Sequence, residues 1–304
     1  MLGRRKRARS NEHVGPAGAS DDGQRLTVAG GVRLWFRWAG AVEAASDRPT
    51  LVVPCCGNAD DLAGLVTTER RVLFYDVRNR GRSDSISDPR RLGFGAELDD
   101  LASVCDELEL ERVSLLGWSY HAGVVTRFAL TNPERVDRIV LAAAIPLRSG
   151  VQPTTMREAA PHQLAWLDQL QAQGLPASDP ARWCVEWRKI YVPLRMGDPS
   201  GFERLHSPCA MPNEHPAHMA RAVVFVLAEL GSYHWAPELR ELRAPVLVVH
   251  GTADADPIEL ADEWVRAIPD ARLLPLDGVG QLPWAEAPDR FYDVVNRFLA
   301  GESV

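Results

Sequence analysis

From about residue 24 onward, short apolar runs alternate with longer stretches whose apolar residues recur every three or four positions. That alternation is the strongest constraint on the chain, because it is the pattern of strands packed side by side with helices crossing over them. The runs at 50–54, 113–117 and 246–251 have almost no polar face, as strands covered on both sides require. Further strands are expected at 24–28, 32–39, 72–76, 139–143 and 272–275. Helices are expected at 97–108, where Leu98, Leu101, Val104, Cys105 and Leu108 form one stripe, and at 124–130, 258–268 and 287–300. The class is α/β, with a mostly parallel central sheet and helices on both faces. Residues 147–240 break the rhythm: they hold helical patterns, four tryptophans and many prolines, and no convincing strand.

Composition narrows the function classes. The chain has 304 residues, 46% hydrophobic and 25% charged, which is ordinary globular usage. A net charge of -7 with no basic stripe through the body excludes nucleic acid as the expected partner. The five cysteines follow neither a disulfide framework nor a metal-ligand spacing, so reduced thiols, no bound metal and a cytoplasmic location are expected. Arg4, Arg5, Lys6, Arg7 and Arg9 open the chain without a following apolar stretch, so residues 1–23 read as a disordered basic tail rather than a secretory signal. No run reaches the length of a membrane span.

The segment Ser114-Leu-Leu-Gly-Trp-Ser-Tyr-His-Ala-Gly123 runs from an apolar strand into a helix with Ser119 at the turn. A nucleophile elbow needs a small residue near that turn so that strand and helix approach closely, and Gly117 supplies one. His121 stands two residues after the serine, where glycine is usual.

Four other segments accompany it. They are Leu51-Val-Val-Pro-Cys-Cys-Gly-Asn58, Tyr75-Asp-Val-Arg-Asn-Arg-Gly-Arg-Ser-Asp84, His250-Gly-Thr-Ala-Asp254 and Gly278-Val-Gly-Gln-Leu-Pro-Trp-Ala-Glu-Ala-Pro288. Together with the elbow, over roughly residues 24–301, the chain resembles the α/β-hydrolase superfamily, in the branch of proline iminopeptidases and small-ester hydrolases with a helical cap. The resemblance implies an α/β-hydrolase core of residues 24–146 and 241–304 with a cap of 147–240 between them. It implies Ser119 as nucleophile and Asp254 as acid, with Asp256 the alternative acid. Backbone amides of Cys56 and Tyr120 would form the oxyanion hole. No cofactor is implied.

The last segment departs from the family pattern. Where the resemblance places the catalytic histidine stands Gln281, and no histidine follows His250. In serine proteases, losing that histidine costs about 10⁶-fold in turnover and leaves roughly 10³ to 10⁴ over water. A glutamine amide takes no proton near neutral pH, though it can hold a carbonyl or a water. His121 follows two residues after Ser119 on the helix and so should point away from it. His206, His215, His218 and His234 lie in the insertion. A Cys55–Cys56 thiol nucleophile has no base beside it in sequence.

Substrate contacts are expected from Trp118, His121, Trp187, Glu214, His234 and Trp284, with Trp166, Trp183, Tyr191, Tyr233 and Trp235 as further aromatics above the pocket. They would suit a small molecule that is apolar or aromatic in part. Glu214, in the pair Asn213-Glu214, is a candidate for a substrate amine. Three readings of function stay open. One is ester, amide or lactone hydrolysis or acyl transfer with a displaced base. A second is a non-hydrolytic cyclase, lyase or isomerase in small-molecule biosynthesis. The third is a silent ligand-binding protein. A homodimer is left open, and no membrane partner is expected.

Overall fold

The computed structural model of the chain describes residues 23–40, 48–151, 160–213 and 216–304, the side chains of 216–222 excepted. The basic segment of residues 1–22, Glu214 and His215 lie outside the described residues, as does the side chain of His218.

Eight strands form one sheet in the order β1-β2-β4-β3-β5-β6-β7-β8. They are β1 (Gln24–Thr27), β2 (Arg33–Gly40), β3 (Thr50–Cys55), β4 (Arg71–Asp76), β5 (Val113–Trp118), β6 (Val136–Ala142), β7 (Val246–Gly251) and β8 (Ala271–Leu276). The pairs β1–β2 and β2–β4 are antiparallel, and all the others are parallel. Along β3, Leu51 and Val53 enter one apolar layer while Val52 enters the other, the period of two that a sheet covered on both faces demands. Helices α1 (Phe94–Glu107) and α2 (His121–Thr131) cover the Val52 face.

Between β6 and β7 the described chain contains no strand, in keeping with the broken rhythm of the sequence. Its helices are α3 (Pro161–Ala172), α4 (Leu175–Ser178), α5 (Pro180–Tyr191), α6 (Pro216–Leu230) and α7 (Ala236–Leu239). Leu164, Leu167 and Leu170 recur at helical spacing and pack with Trp183 into a small cluster of their own. Beyond β7, α8 (Ile258–Ala267) adds Trp264 to the Val52 face. The short α9 (Pro283–Glu286) is followed by α10 (Pro288–Leu299), which buries Phe291, Val295, Phe298 and Leu299 on the opposite face.

The expectation of five reduced thiols is corrected. Cys184 on α5 and Cys209, 25 residues on, form a disulfide within the insertion, while Cys55, Cys56 and Cys105 are free and buried. Spacing could not reveal the pair, because it is the fold of the insertion that brings the two Cα atoms to 5.6 Å. No helix among the described residues is long and apolar enough to cross a membrane.

The insertion is bolted to the core at named points. Asn213, fully buried, donates from its side chain to the Ser83 carbonyl at 2.5 Å and accepts from the Ser85 hydroxyl at 2.5 Å. Glu286 on α9 accepts four backbone N–H groups: Gly197 at 2.7 Å and Asp198 at 3.0 Å from the insertion, and Gly280 at 2.9 Å and Leu282 at 3.2 Å from the core.

Candidate active site

In a parallel sheet the carboxyl ends of the strands point the same way, so the loops after β3, β5, β7 and β8 rise together at one edge. Those loops carry Cys56, Ser119, Asp254 and Gln281.

Ser119 sits at φ 56°, in the left-handed region, between β5 and α2. Its amide donates to the Ala142 carbonyl at 3.0 Å, which locks the turn to the neighbouring strand. A Cβ on Gly117 would stand 2.5 Å from the His121 carbonyl oxygen, so only glycine allows the helix to start that close to the strand. The local geometry is that of a nucleophile elbow.

A cavity of about 510 Å³ opens above this turn. Core residues Cys56, Ser119, Tyr120, His121 and Gln281 line it together with Trp187, Tyr191 and Arg195 of the insertion. Trp118 and Trp284, also lining it, meet edge to face with centroids 5.2 Å apart. The Trp118 indole N–H donates to the Gln281 carbonyl at 3.1 Å. The Gln281 amide in turn donates to the Arg195 carbonyl at 2.8 Å. The backbone at Gln281 is therefore held from the elbow on one side and from the insertion on the other, while its side chain makes no hydrogen bond to another described residue and borders the cavity.

Asp254 reaches the neighbourhood through the backbone. Ala253 N–H donates to the Val279 carbonyl at 2.9 Å, stitching the loop after β7 to the loop of Gln281. The Asp254 Oδ1 accepts the Asp256 N–H at 3.2 Å, and Oδ2 is buried with no hydrogen-bond partner among the described residues. Burial pushes both the Asp254 and Asp256 carboxyls above the ordinary carboxylate range, against the attraction of His250 and Arg195. Asp254 is not among the residues lining the cavity.

The histidines are engaged elsewhere. His121 is 1% exposed, with Nε2 3.3 Å from Glu97 Oε2. His250 Nε2 lies 2.8 Å from the Asp256 carbonyl oxygen. His206 pairs with Asp61 at the cavity wall, Nδ1 to Oδ1 at 2.9 Å. His234 is exposed, bridged to Arg148 on the outside, and does not line the cavity as anticipated. Among the described residues, no histidine or carboxylate forms a hydrogen bond with the Ser119 hydroxyl.

The oxyanion side carries an unexpected occupant. The Cys56 N–H donates to Asn58 Oδ1 at 2.9 Å, and Asp76, beneath, accepts the N–H groups of Gly57 and Arg82, each at 2.9 Å. Tyr120 provides the N-cap position of α2. Cys55 is sealed at 1% exposure and burial drives its thiol well above the ordinary range, so it is held neutral and away from the cavity.

Of the anticipated insertion aromatics, only Trp187 and Tyr191 line the cavity, stacked with centroids 4.1 Å apart. Trp166 is 48% exposed, Trp183 packs under α3, and Tyr233 and Trp235 pack toward Trp264. Helical periodicity alone does not say which face of an inserted helix meets the core. Arg80, Arg188 and Arg195 also line the cavity, and sequence reading passed over them as contacts. Arg188 stands on the last turn of α5 and Arg195 beyond Pro193, which ends the helical spacing, so no periodic signal in the sequence joined them.

The profile of the alpha/beta hydrolase family matches residues 24–294. The chain belongs to that family. A proline iminopeptidase of Heyndrickxia coagulans is 20% identical over 235 residues, covering 76% of this chain and 82% of that protein. Among solved structures, an esterase from Thermogutta terrifontis aligns with a TM-score of 0.66 at 22% identity, covering 92% of this chain and 98% of the other. A meta-cleavage product hydrolase from Pseudomonas fluorescens aligns with a TM-score of 0.68 at 19% identity, with the same coverage. An alpha/beta hydrolase fold thus hosts an iminopeptidase, an esterase and a meta-cleavage product hydrolase, so family membership fixes the scaffold and leaves the reaction to the site.

Proposed function

We propose that the protein is an enzyme acting on an organic small molecule in the cavity between core and insertion, with residues 147–240 serving as its cap. In this reading Ser119 and Gln281 bind and orient the substrate for a non-hydrolytic conversion such as a ring closure, an elimination or an isomerisation. One observation carries the reading: among the described residues no histidine or carboxylate is hydrogen-bonded to the Ser119 hydroxyl, and Gln281 stands where the family resemblance places the base. Asn58 adds support, because the Cys56 amide that would stabilise a tetrahedral oxyanion is already donated to its side chain. The serine hydroxyl and the glutamine amide each supply donors and acceptors without needing to ionise. The apolar walls of Trp118, Trp187, Tyr191 and Trp284 would exclude water from a reactive intermediate.

A second reading, hydrolysis or acyl transfer with Asp254 as the displaced base, is favoured by its unpartnered, buried Oδ2 and its raised pKa. Labelling with a fluorophosphonate separates the two. The expected outcome is negligible labelling of the wild type and labelling that appears with Gln281→His. Rapid wild-type labelling that Ser119→Ala abolishes would establish the hydrolytic reading instead.

A further inference from the structure

The chain as a whole is acidic, with a net charge of -7, yet arginines gather at its cavity. Arg80, Arg188 and Arg195 line it, with Asp61 the one acidic residue among the described lining residues. Asp61 already accepts the His206 amide at 2.7 Å and faces the His206 ring at 2.9 Å. A low-dielectric pocket lined by one sign of charge focuses its field on whatever enters.

Arg188 on the last turn of α5 and Arg195 at the end of the short turn that follows it both line the cavity, as does Tyr191 between them in sequence. Trp187 stacks on that tyrosine at an interplanar angle of 21°, so a flat apolar wall and the cationic groups belong to the same surface. The Arg195 Nε is buried with no hydrogen-bond partner among the described residues, a cost that a bound acceptor would remove. Asp254 and Asp256 also feel the charge of Arg195, and burial raises both carboxyls above the ordinary carboxylate range. The backbone of Arg195 is fixed by the Gln281 amide, which sets this charge beside the residue that replaces the missing base.

From this juxtaposition we infer that the substrate is an organic acid, its carboxylate held by Arg195 and Arg188 and its apolar or aromatic body lying against Trp187 and Tyr191. The inference rests on the reading of this cavity as the substrate site and adds the substrate class to it. A guanidinium presents paired N–H donors that match the two oxygens of a carboxylate, whereas a neutral amide of the same shape offers one acceptor oxygen and no opposite charge.

The test is calorimetric titration of the full chain with benzoate, phenylacetate and phenylbutyrate, each compared with its primary amide. At least one acid is expected to bind about tenfold or more tightly than its amide, as one charge-assisted hydrogen bond allows. Arg188→Gln and Arg195→Gln should each weaken acid binding more than amide binding and so erode that preference, and Arg195→Lys should keep part of it. An unchanged circular dichroism spectrum and thermal unfolding midpoint show that a variant is folded. Equal binding of acids and amides, no binding by any of them, or a preference that survives both glutamine variants overturns the inference. Rapid fluorophosphonate labelling of Ser119 would sink the non-hydrolytic reading alone and leave an observed acid preference standing.

Discussion

The Cys56 backbone amide donates to the side-chain oxygen of Asn58 across 2.9 Å, so the N–H of a residue that lines the cavity is satisfied from within its own loop. On the proposed reading, in which Gln281 takes the place of a base and the Cys56 amide that of an oxyanion donor, two separate requirements of acyl transfer are altered.

Restoring them should therefore be cooperative. Gln281→His alone is expected to label slowly with a fluorophosphonate, and Gln281→His combined with Asn58→Ala should label about 10²-fold faster, the usual worth of one oxyanion donor. Equal labelling rates for the single and double variants would show that Asn58 does not compete for the hole.

Glu286 holds four backbone amides drawn from both sides of the junction between insertion and core. Removing the carboxylate with Glu286→Ala leaves those donors without it, and a loss of about 2 kcal/mol is expected from hydrogen bonds to a charged acceptor. Chemical denaturation reads the stability directly. Hydrogen exchange should localise the effect to residues 197, 198, 280 and 282, and unchanged protection there would contradict the assignment.

Gly117 permits the close approach of β5 and α2. Gly117→Ala would set a methyl group 2.5 Å from the His121 carbonyl oxygen, and an overpacking cost of about 1–3 kcal/mol is expected. A variant as stable as the wild type would mean that the elbow relaxes freely.

The disulfide between Cys184 and Cys209 closes a segment with a sequence separation of 25, for which chain entropy gives about 3 kcal/mol. Dithiothreitol or Cys184→Ser should lower the midpoint of thermal unfolding under otherwise identical conditions. A thiol count of five in the unreduced, denatured protein would remove the bond from the structure.

Burial raises the Asp254 carboxyl above the ordinary carboxylate range. The folded state then holds that proton more tightly than the unfolded chain does, so this contribution to stability is complete below the unfolded value and is lost as pH rises through the folded one. Asp254→Asn keeps the acceptor for the Asp256 amide and cannot ionise. Its stability relative to wild type should increase from pH 4 toward neutrality, and a difference that stays flat or falls over that range would reverse the sign.

Much of the scaffold was legible before any coordinates. Period-two and unbroken apolar runs gave every strand of the sheet to within a few residues, because burial on both faces leaves no room for polar positions. The small residue at 117 and the glutamine at 281 were equally readable, since each is a local chemical requirement met or missed in one segment. The contents of the site were less so. Arg188 and Arg195 could be placed at the cavity, Trp166 excluded from it and Cys184 joined to Cys209 only once the insertion was folded on the core, because those relations depend on which face of a helix is turned inward. The engagement of the Cys56 amide by Asn58, two residues away, is a matter of loop conformation that carries no periodic signal. Sequence alone therefore determined the sheet, the turn that carries Ser119 and the presence of a glutamine at 281. The gathering of Arg188 and Arg195 at the cavity and the hydrogen bond from Cys56 to Asn58 were decided by tertiary structure, because segments had to fold and meet before their charges and hydrogen bonds could be counted together.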